Sequence, residues 1–273
     1  MKEQPRGFKL IAGSLASDLG KALLLTAAGS SKIPDMSCTD HEEADTRILA
    51  HISCVNQYRY QRAVIQATCT DIFIMAIYYS VCIPGLKELR MQKGSRYIPC
   101  HITANLLAEK FPLPVPLASS AVLCGHIMSG CDTISCVLGK GKKKSFKVAM
   151  ANTSDLTEMM QFGDDTHDVT EAVTDVCRNF FLNLYGDFSG NLHELRAHMF
   201  GRIKGDIRKL PSTENAFRYH MLRALYQIII CKIIVLPRFQ NILLIVLFYD
   251  HINTICPLIQ HYLGKTNSAD NSV

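Results

Sequence analysis

In RAVIQATCTDIFIMAIYYS, residues 62–80, a short apolar run is broken by a polar hinge and then resumes at greater length. Residues 62–67 have the length and the Val/Ile content of a buried strand. After Asp71 the sequence is apolar without a break, which fits a buried helix or a strand running into one. An acid directly after a strand is where α/β sheets place their ligand sites. The stretch therefore reads as a strand, a turn bearing Asp71, and a core element.

Working outward, the first half alternates strand and helix signals. Phe8 to Ile11 and Ala22 to Thr26 read as short strands joined by a Gly/Ser/Asp loop. Thr39 or Asp40 fits an N-cap, and Asp40 with Glu43 has capping-box spacing. A helix of about four turns should follow, to around Val55. Residues 95–100, SRYIPC, read as a strand, residues 102–110 as a helix, and FPLPVP, 111–116, as a connector. Ala118 to Met128 reads as an apolar helix, and 154–162, 168–185, 191–204 and 212–236 read as further helices. The expectation is an α/β part with a parallel sheet and flanking helices over residues 1–117. A mainly helical part should follow over 118–236, then an atypical apolar tail over 237–273.

Composition agrees with a folded chain. Hydrophobic residues make up 48% and charged residues 19% of 273 positions, enough for a sizeable core. The 11 cysteines are odd in number and lack a CxxC frame, so an intracellular, reducing setting with mostly buried thiols is expected. The first 15 residues lack the apolar core of a signal peptide. Residues 225–250 are very apolar, but Lys232, Pro237 and Arg238 cut them into pieces shorter than the roughly 20 residues a membrane helix needs. No membrane span is expected. A membrane anchor over 225–249 is the weakest of the readings.

Four acidic positions carry the candidate chemistry. Glu43 and Asp45 stand at a helix start, Asp71 follows a strand, and Asp132 lies in a Gly-x-Asp turn after an apolar helix. Carboxylates fed from several elements into one cleft suit Mg²⁺ or Mn²⁺. Two such ions about 4 Å apart can activate water and stabilise the leaving oxygen of a phosphodiester. The plainer reading is helix capping, because acids in a first turn favour the helix dipole by about 0.3–1 kcal/mol each.

The basic counterpart is LGKGKKKSFK, residues 138–147. Five lysines (Lys140, Lys142, Lys143, Lys144 and Lys147) equal the whole net charge of +5. Gly139 and Gly141 let main-chain N–H groups approach a phosphate, and the following helix offers its positive end. Gly139, Lys140, Gly141, Lys142, Lys143 and Lys144 are the expected nucleic-acid contacts. The plainer reading is a solvated basic loop. Cys124, His126, Cys131 and Cys136 have no common zinc-finger spacing and read mainly as core. GxSxG, HExxH, GxGxxG and the P-loop pattern are all absent.

Taken in order, HEEADTRILAH (41–51), AVIQATCTDIFIMAI (63–77), GHIMSGCDTISCVLGKGKKKSFKV (125–148) and LPSTENAFRYHMLRALYQ (210–227) resemble a set of transposon-derived animal proteins. Through them the chain resembles the PIN-like, flap-endonuclease type of 5′ nuclease. The resemblance covers roughly residues 5 to 236. It implies a PIN-like fold and makes Glu43, Asp45, Asp71 and Asp132 the ligands of catalytic Mg²⁺ or Mn²⁺. It also implies that the glycine/lysine turn grips a DNA or RNA backbone. Cys69 stands where the pattern has its first Asp of Asp-x-Asp, and a thiol is a poor Mg²⁺ ligand. The pattern also has an Asp on its first strand, where this chain offers only Asp18 in a loop-like setting, so an incomplete N-terminal part is expected. The function expected is therefore a divergent nuclease-type protein, weakened or inactive in cleavage. The alternative is a non-catalytic relict or interaction protein.

Overall fold

The structure is a computed structural model that describes residues 10–13, 22–26, 29–32, 44–54, 60–131, 134–151, 158–159, 170–186, 190–202 and 205–233. It divides at Lys232/Ile233, and the described residues up to Lys232 belong to the first unit. The fold is mixed α/β. β1 (Leu10–Gly13), β2 (Ala22–Thr26) and β3 (Gly29–Lys32) form an antiparallel meander. A second sheet has the order β4 (Arg62–Gln66), β5 (Glu88–Lys93), β6 (Arg96–Pro99). The parallel sheet expected from the strand–helix alternation is realised in one pairing, β4 with β5, while β6 returns antiparallel. A two-residue hairpin loop, Gly94–Ser95, leaves no room for the crossover that a parallel neighbour needs.

The opening stretch resolves as β4 followed by helix α2 (Thr70–Cys82). Its apolar run is longer than a typical strand, and it is buried around most of its circumference: Ile72, Ile74, Met75, Ala76, Ile77 and Tyr79 are all inside. β4 is less buried than its composition suggests. Ile65 faces the core, but Val64, on the other face, is 55% exposed. β5 has no counterpart in the sequence reading. Leu89 and Met91 are buried and alternate with Glu88, Arg90 and Gln92, a period-two signal carried by only two apolar residues.

Helix α1 (Ala44–Ser53) lies within the span expected, and its proposed cap at 39–40 lies outside the described residues. α3 (Cys100–Lys110) is followed by α4 (Val115–Met128), which begins inside FPLPVP. Pro116 sits in the first turn of α4, where its missing N–H costs the helix nothing. Every residue from Ala118 to Met128 is buried, and α4 packs on both α2 and α3. Helices on either side of the expected 117/118 boundary thus share one packed layer.

α5 (Lys142–Ala151), α6 (Glu171–Tyr185), α7 (Leu192–Phe200) and α8 (Glu214–Ile233) complete the described helices. The helix expected over 154–162 falls largely outside them. Asn191 and Glu194 form a reciprocal capping box on α7. α8 buries Phe217, His220, Met221, Ala224, Leu225 and Ile228, one continuous helical face. The Tyr79 hydroxyl donates to the Cys231 carbonyl, tying α2 to α8. Residues 237–273 lie outside the described residues. Among the described residues no single helix is long and apolar enough to cross a membrane; the α3–α4 pair is bent by 92°.

Candidate functional site

The last turn of α4 is the hub around which the sequence-predicted residues arrange themselves. Asp71, in the first turn of α2, receives the His126 ring: Nε2 to Oδ1 is 2.7 Å. His126 is buried and Asp71 is about one-fifth exposed. With Asp71 ionised, its oxygens only accept, so His126 Nε2 carries the proton. A histidine in an apolar helix needs such a partner, since burying an unsatisfied polar group costs about 1–3 kcal/mol. That need was the available sequence signal for the contact. The sequence reading placed His126 in the core and left its partner unnamed.

Asp45 is in the first turn of α1, half-buried, where it favours the helix dipole. Glu43 and Asp132 lie outside the described residues. Cys69 precedes α2 in extended backbone and makes no side-chain cap. A Mg²⁺-type ion asks for several oxygen donors. One Asp71 oxygen is held by His126, and Cys69 offers sulfur. Among the described residues no group of three or more His, Cys, Asp or Glu side chains gathers to hold a metal. The described donors do not by themselves make a two-ion site. The cysteine/histidine cluster likewise gathers no zinc site among the described residues. Cys124 is buried with its thiol toward the Met159 carbonyl, and Cys136 is exposed. Burial pushes the Cys100, Cys177 and Cys231 thiols up to about 12, so these stay un-ionised core groups.

The basic turn divides into two kinds of lysine. Lys142 turns inward. Its ammonium donates to the His126 carbonyl at 2.6 Å, to Ser129 Oγ at 3.1 Å and to the Gly130 carbonyl. The reason is the helix end: the last carbonyls of α4 lack intrahelical partners and carry the negative pole of the dipole. Lys142 thus departs from the expected phosphate-binding set and fixes the start of α5 against α4. Gly130, at φ +97°, lets the Cys136 backbone pass close by, since a Cβ there would lie 2.5 Å from Cys136 Cα.

Lys143, Lys144 and Lys147 are exposed, and Lys140 is half-buried. Lys143, Lys144, Lys147 and Gly141 line an open groove of about 430 Å³ at the start of α5. Lys140 lies over the Tyr185 ring, its ammonium 4.6 Å from the centroid. Partial burial lowers the Lys140 pKa, and the neighbouring Lys144 ammonium lowers it further. Two like charges are therefore held side by side at the mouth of a helix N-terminus. Gly139 takes φ +77° with open space around it, as the turn requires. Gly141 supplies the carbonyl that starts α5, accepting from Lys144 N at 2.9 Å.

The molecule thus chains an acidic residue, a buried imidazole, a helix end and a basic groove: Asp71 to His126, the His126 carbonyl to Lys142, and Lys142 to the turn it anchors. The chain matches no protein-family model, no curated protein and no solved structure.

Proposed function

We propose that this chain binds nucleic-acid backbones through the turn at Gly139–Lys147, as a PIN-like, nuclease-type protein whose metal-dependent cleavage is weakened or lost. The observation that carries the reading is the groove of Lys143, Lys144 and Lys147 at the N-terminus of α5, with Lys140 and Lys144 crowded beside it. A polyanion relieves that crowding, and release of its counterions makes binding sequence-independent and salt-sensitive. Lys142 acts as a positioning residue, because it holds the turn without facing the ligand.

The test is fluorescence anisotropy with a labelled single-stranded oligonucleotide across a salt series. Replacing Lys143, Lys144 and Lys147 by Ala should weaken binding and cut the slope of log K against log salt by roughly two units, at about 0.7 per phosphate contact. An unchanged affinity and slope would sink the reading.

A second reading is an active Mg²⁺- or Mn²⁺-dependent nuclease using Glu43, Asp45, Asp71 and Asp132. The position of Asp71, in the first turn of α2 and five residues past the end of β4, favours it. Mn²⁺-dependent cleavage of single-stranded and branched DNA by the wild-type chain, lost in Asp71→Ala and in Asp132→Ala, would establish it. Activity confined to Cys69→Asp would point to a nuclease fold disabled at one ligand. Without cleavage by either, the backbone-binding reading stands alone.

A further inference from the structure

α4 ends on a second side-chain donor besides Lys142. His220, on α8, is buried, and its Nε2 lies 3.0 Å from the Met128 carbonyl. A carbonyl only accepts, so Nε2 bears the hydrogen and a neutral ring leaves Nδ1 as an acceptor. Nδ1 is 3.2 Å from Ser135 Oγ. The serine hydroxyl is then the donor, and Ser135 is exposed. The ring is held in place by the Phe181 ring, edge-on at 4.8 Å.

These contacts supply three parts of an activated nucleophile: an accessible hydroxyl, a base within hydrogen-bond reach, and a third group that orients the base. We propose that Ser135 is a nucleophile activated by His220 and directed at phosphoryl groups of a nucleic-acid backbone. The choice of electrophile rests on the backbone-binding reading. Ser135 lies four residues before Gly139, in the connection that leads into the lysine groove, and that setting recruits phosphodiesters over neutral esters.

The step is a transesterification. Ser135 Oγ forms a bond to phosphorus as its proton passes to His220 Nδ1. The bond from phosphorus to one sugar oxygen breaks, and that oxygen leaves with the proton returned from Nδ1. The products are a seryl phosphodiester and a free sugar hydroxyl, with no redox change and no co-reactant. The transient imidazolium keeps its Nε2–H on the Met128 carbonyl, at the negative end of the α4 dipole. Burial and the Arg223 charge lower the His220 pKa, so the ring rests neutral and ready to accept.

The first measurement uses diisopropyl fluorophosphate, a small phosphoryl reagent that needs no nucleic-acid binding. The full chain should take up one phosphoryl group, mapped by mass spectrometry to Ser135 and absent from Ser135→Ala. His220→Gln should label at least tenfold more slowly, the low end of general-base effects being about 100-fold. If His220→Gln fails to fold, the wild-type rate serves instead. It should fall as the pH drops and the ring gains a proton, the groups facing that ring being Met128 O, Ser135, Phe181 and Arg223. Labelling of Ser135 no faster than of other exposed serines, or no slower in the folded His220 variant, would overturn the proposal.

The second measurement mixes the chain with end-labelled single-stranded DNA and looks for an adduct that survives boiling in detergent, present in wild type and absent in Ser135→Ala. Reagent labelling without that adduct would overturn the phosphodiester as its electrophile. Oligonucleotide binding by Ser135→Ala reports separately on the backbone-binding reading, because that variant keeps every lysine of the groove.

Discussion

The acidic end of α2 and the basic start of α5 both hang on the last turn of α4, yet they treat charge in opposite ways. Asp71 has its partner inside the protein, a buried imidazole at 2.7 Å. Lys140 has a like charge beside it, and partial burial with the Lys144 ammonium makes its own charge costlier to hold. A charge satisfied internally is structural first. Like charges crowded at a surface are what the proposed backbone binding would use. Lys142 marks the border: it belongs to the basic run by sequence and to the structural set by its contacts. The comparison makes a demand that can be broken: changes on the Asp71–His126–Lys142 line should cost stability, and changes in the outer lysines should cost binding.

The largest expected loss follows His126→Ala. It removes a buried ring, leaves a cavity beside α4, and takes from Asp71 its 2.7 Å imidazole contact. About 3 kcal/mol should be lost in urea unfolding. A shift in the unfolding midpoint worth under 1 kcal/mol would mean that the contact is incidental. Asp71→Asn should cost less, because an amide still bonds to the imidazole.

Next comes Lys142→Ala. It leaves the end of α4 without its cation and three contacts without a donor, so about 1–2 kcal/mol should go. Lys143→Ala or Lys147→Ala, one residue or a turn further along, should stay within about 0.5 kcal/mol of wild type, as exposed substitutions do. In anisotropy the order should reverse for Lys143 and Lys147, whose removal weakens binding without unfolding the chain. If Lys142→Ala leaves stability intact and abolishes binding, the division between structural and ligand-facing lysines is wrong.

A third effect is read against pH. Burial and Arg223 make His220 harder to protonate in the folded chain than in the unfolded one. Between the two pKa values the unfolded chain therefore binds more protons, and stability rises with pH there. The His220 contribution is complete above about 6.5, its ordinary value, and is lost as the pH falls from there through the lower folded-state value. His220→Gln should flatten that part of the stability–pH curve, measured by urea unfolding at a series of pH values. An equal slope in both proteins would exclude His220 as its source.

How much of this was legible in the sequence depended on how local the signal was. The β4–α2 junction was readable because a change in run length is a property of neighbouring residues. α4 was readable from Ala118 onward, but its start was hidden by prolines that a first turn tolerates. β5 was missed because its alternation rests on Leu89 and Met91 alone, among Glu, Arg, Gln and Lys residues that carry little strand preference. The lysines were visible as a run. That one of them turns inward was not, since the reason is a helix end 14 residues upstream, at Met128. The contacts of His126 and His220 span 55 and 92 positions, beyond any spacing rule.

The smallest effect tests the outer lysines by a gain. If Lys140 and Lys144 repel each other in the free protein, Lys144→Gln should stabilise it. Removing a like-charge contact is worth a few tenths of a kcal/mol, and the gain should shrink as salt screens the pair. Lys140 would keep its place on the Tyr185 ring, since that contact involves only its own charge. The same substitution should weaken oligonucleotide binding, because the charge removed is one of those that the polyanion neutralises. Thermal unfolding at low and high salt, beside anisotropy on the same samples, reads both signs together. A variant that loses stability as well as binding would show that Lys144 supports the fold, and the crowded pair would no longer support the proposed backbone binding.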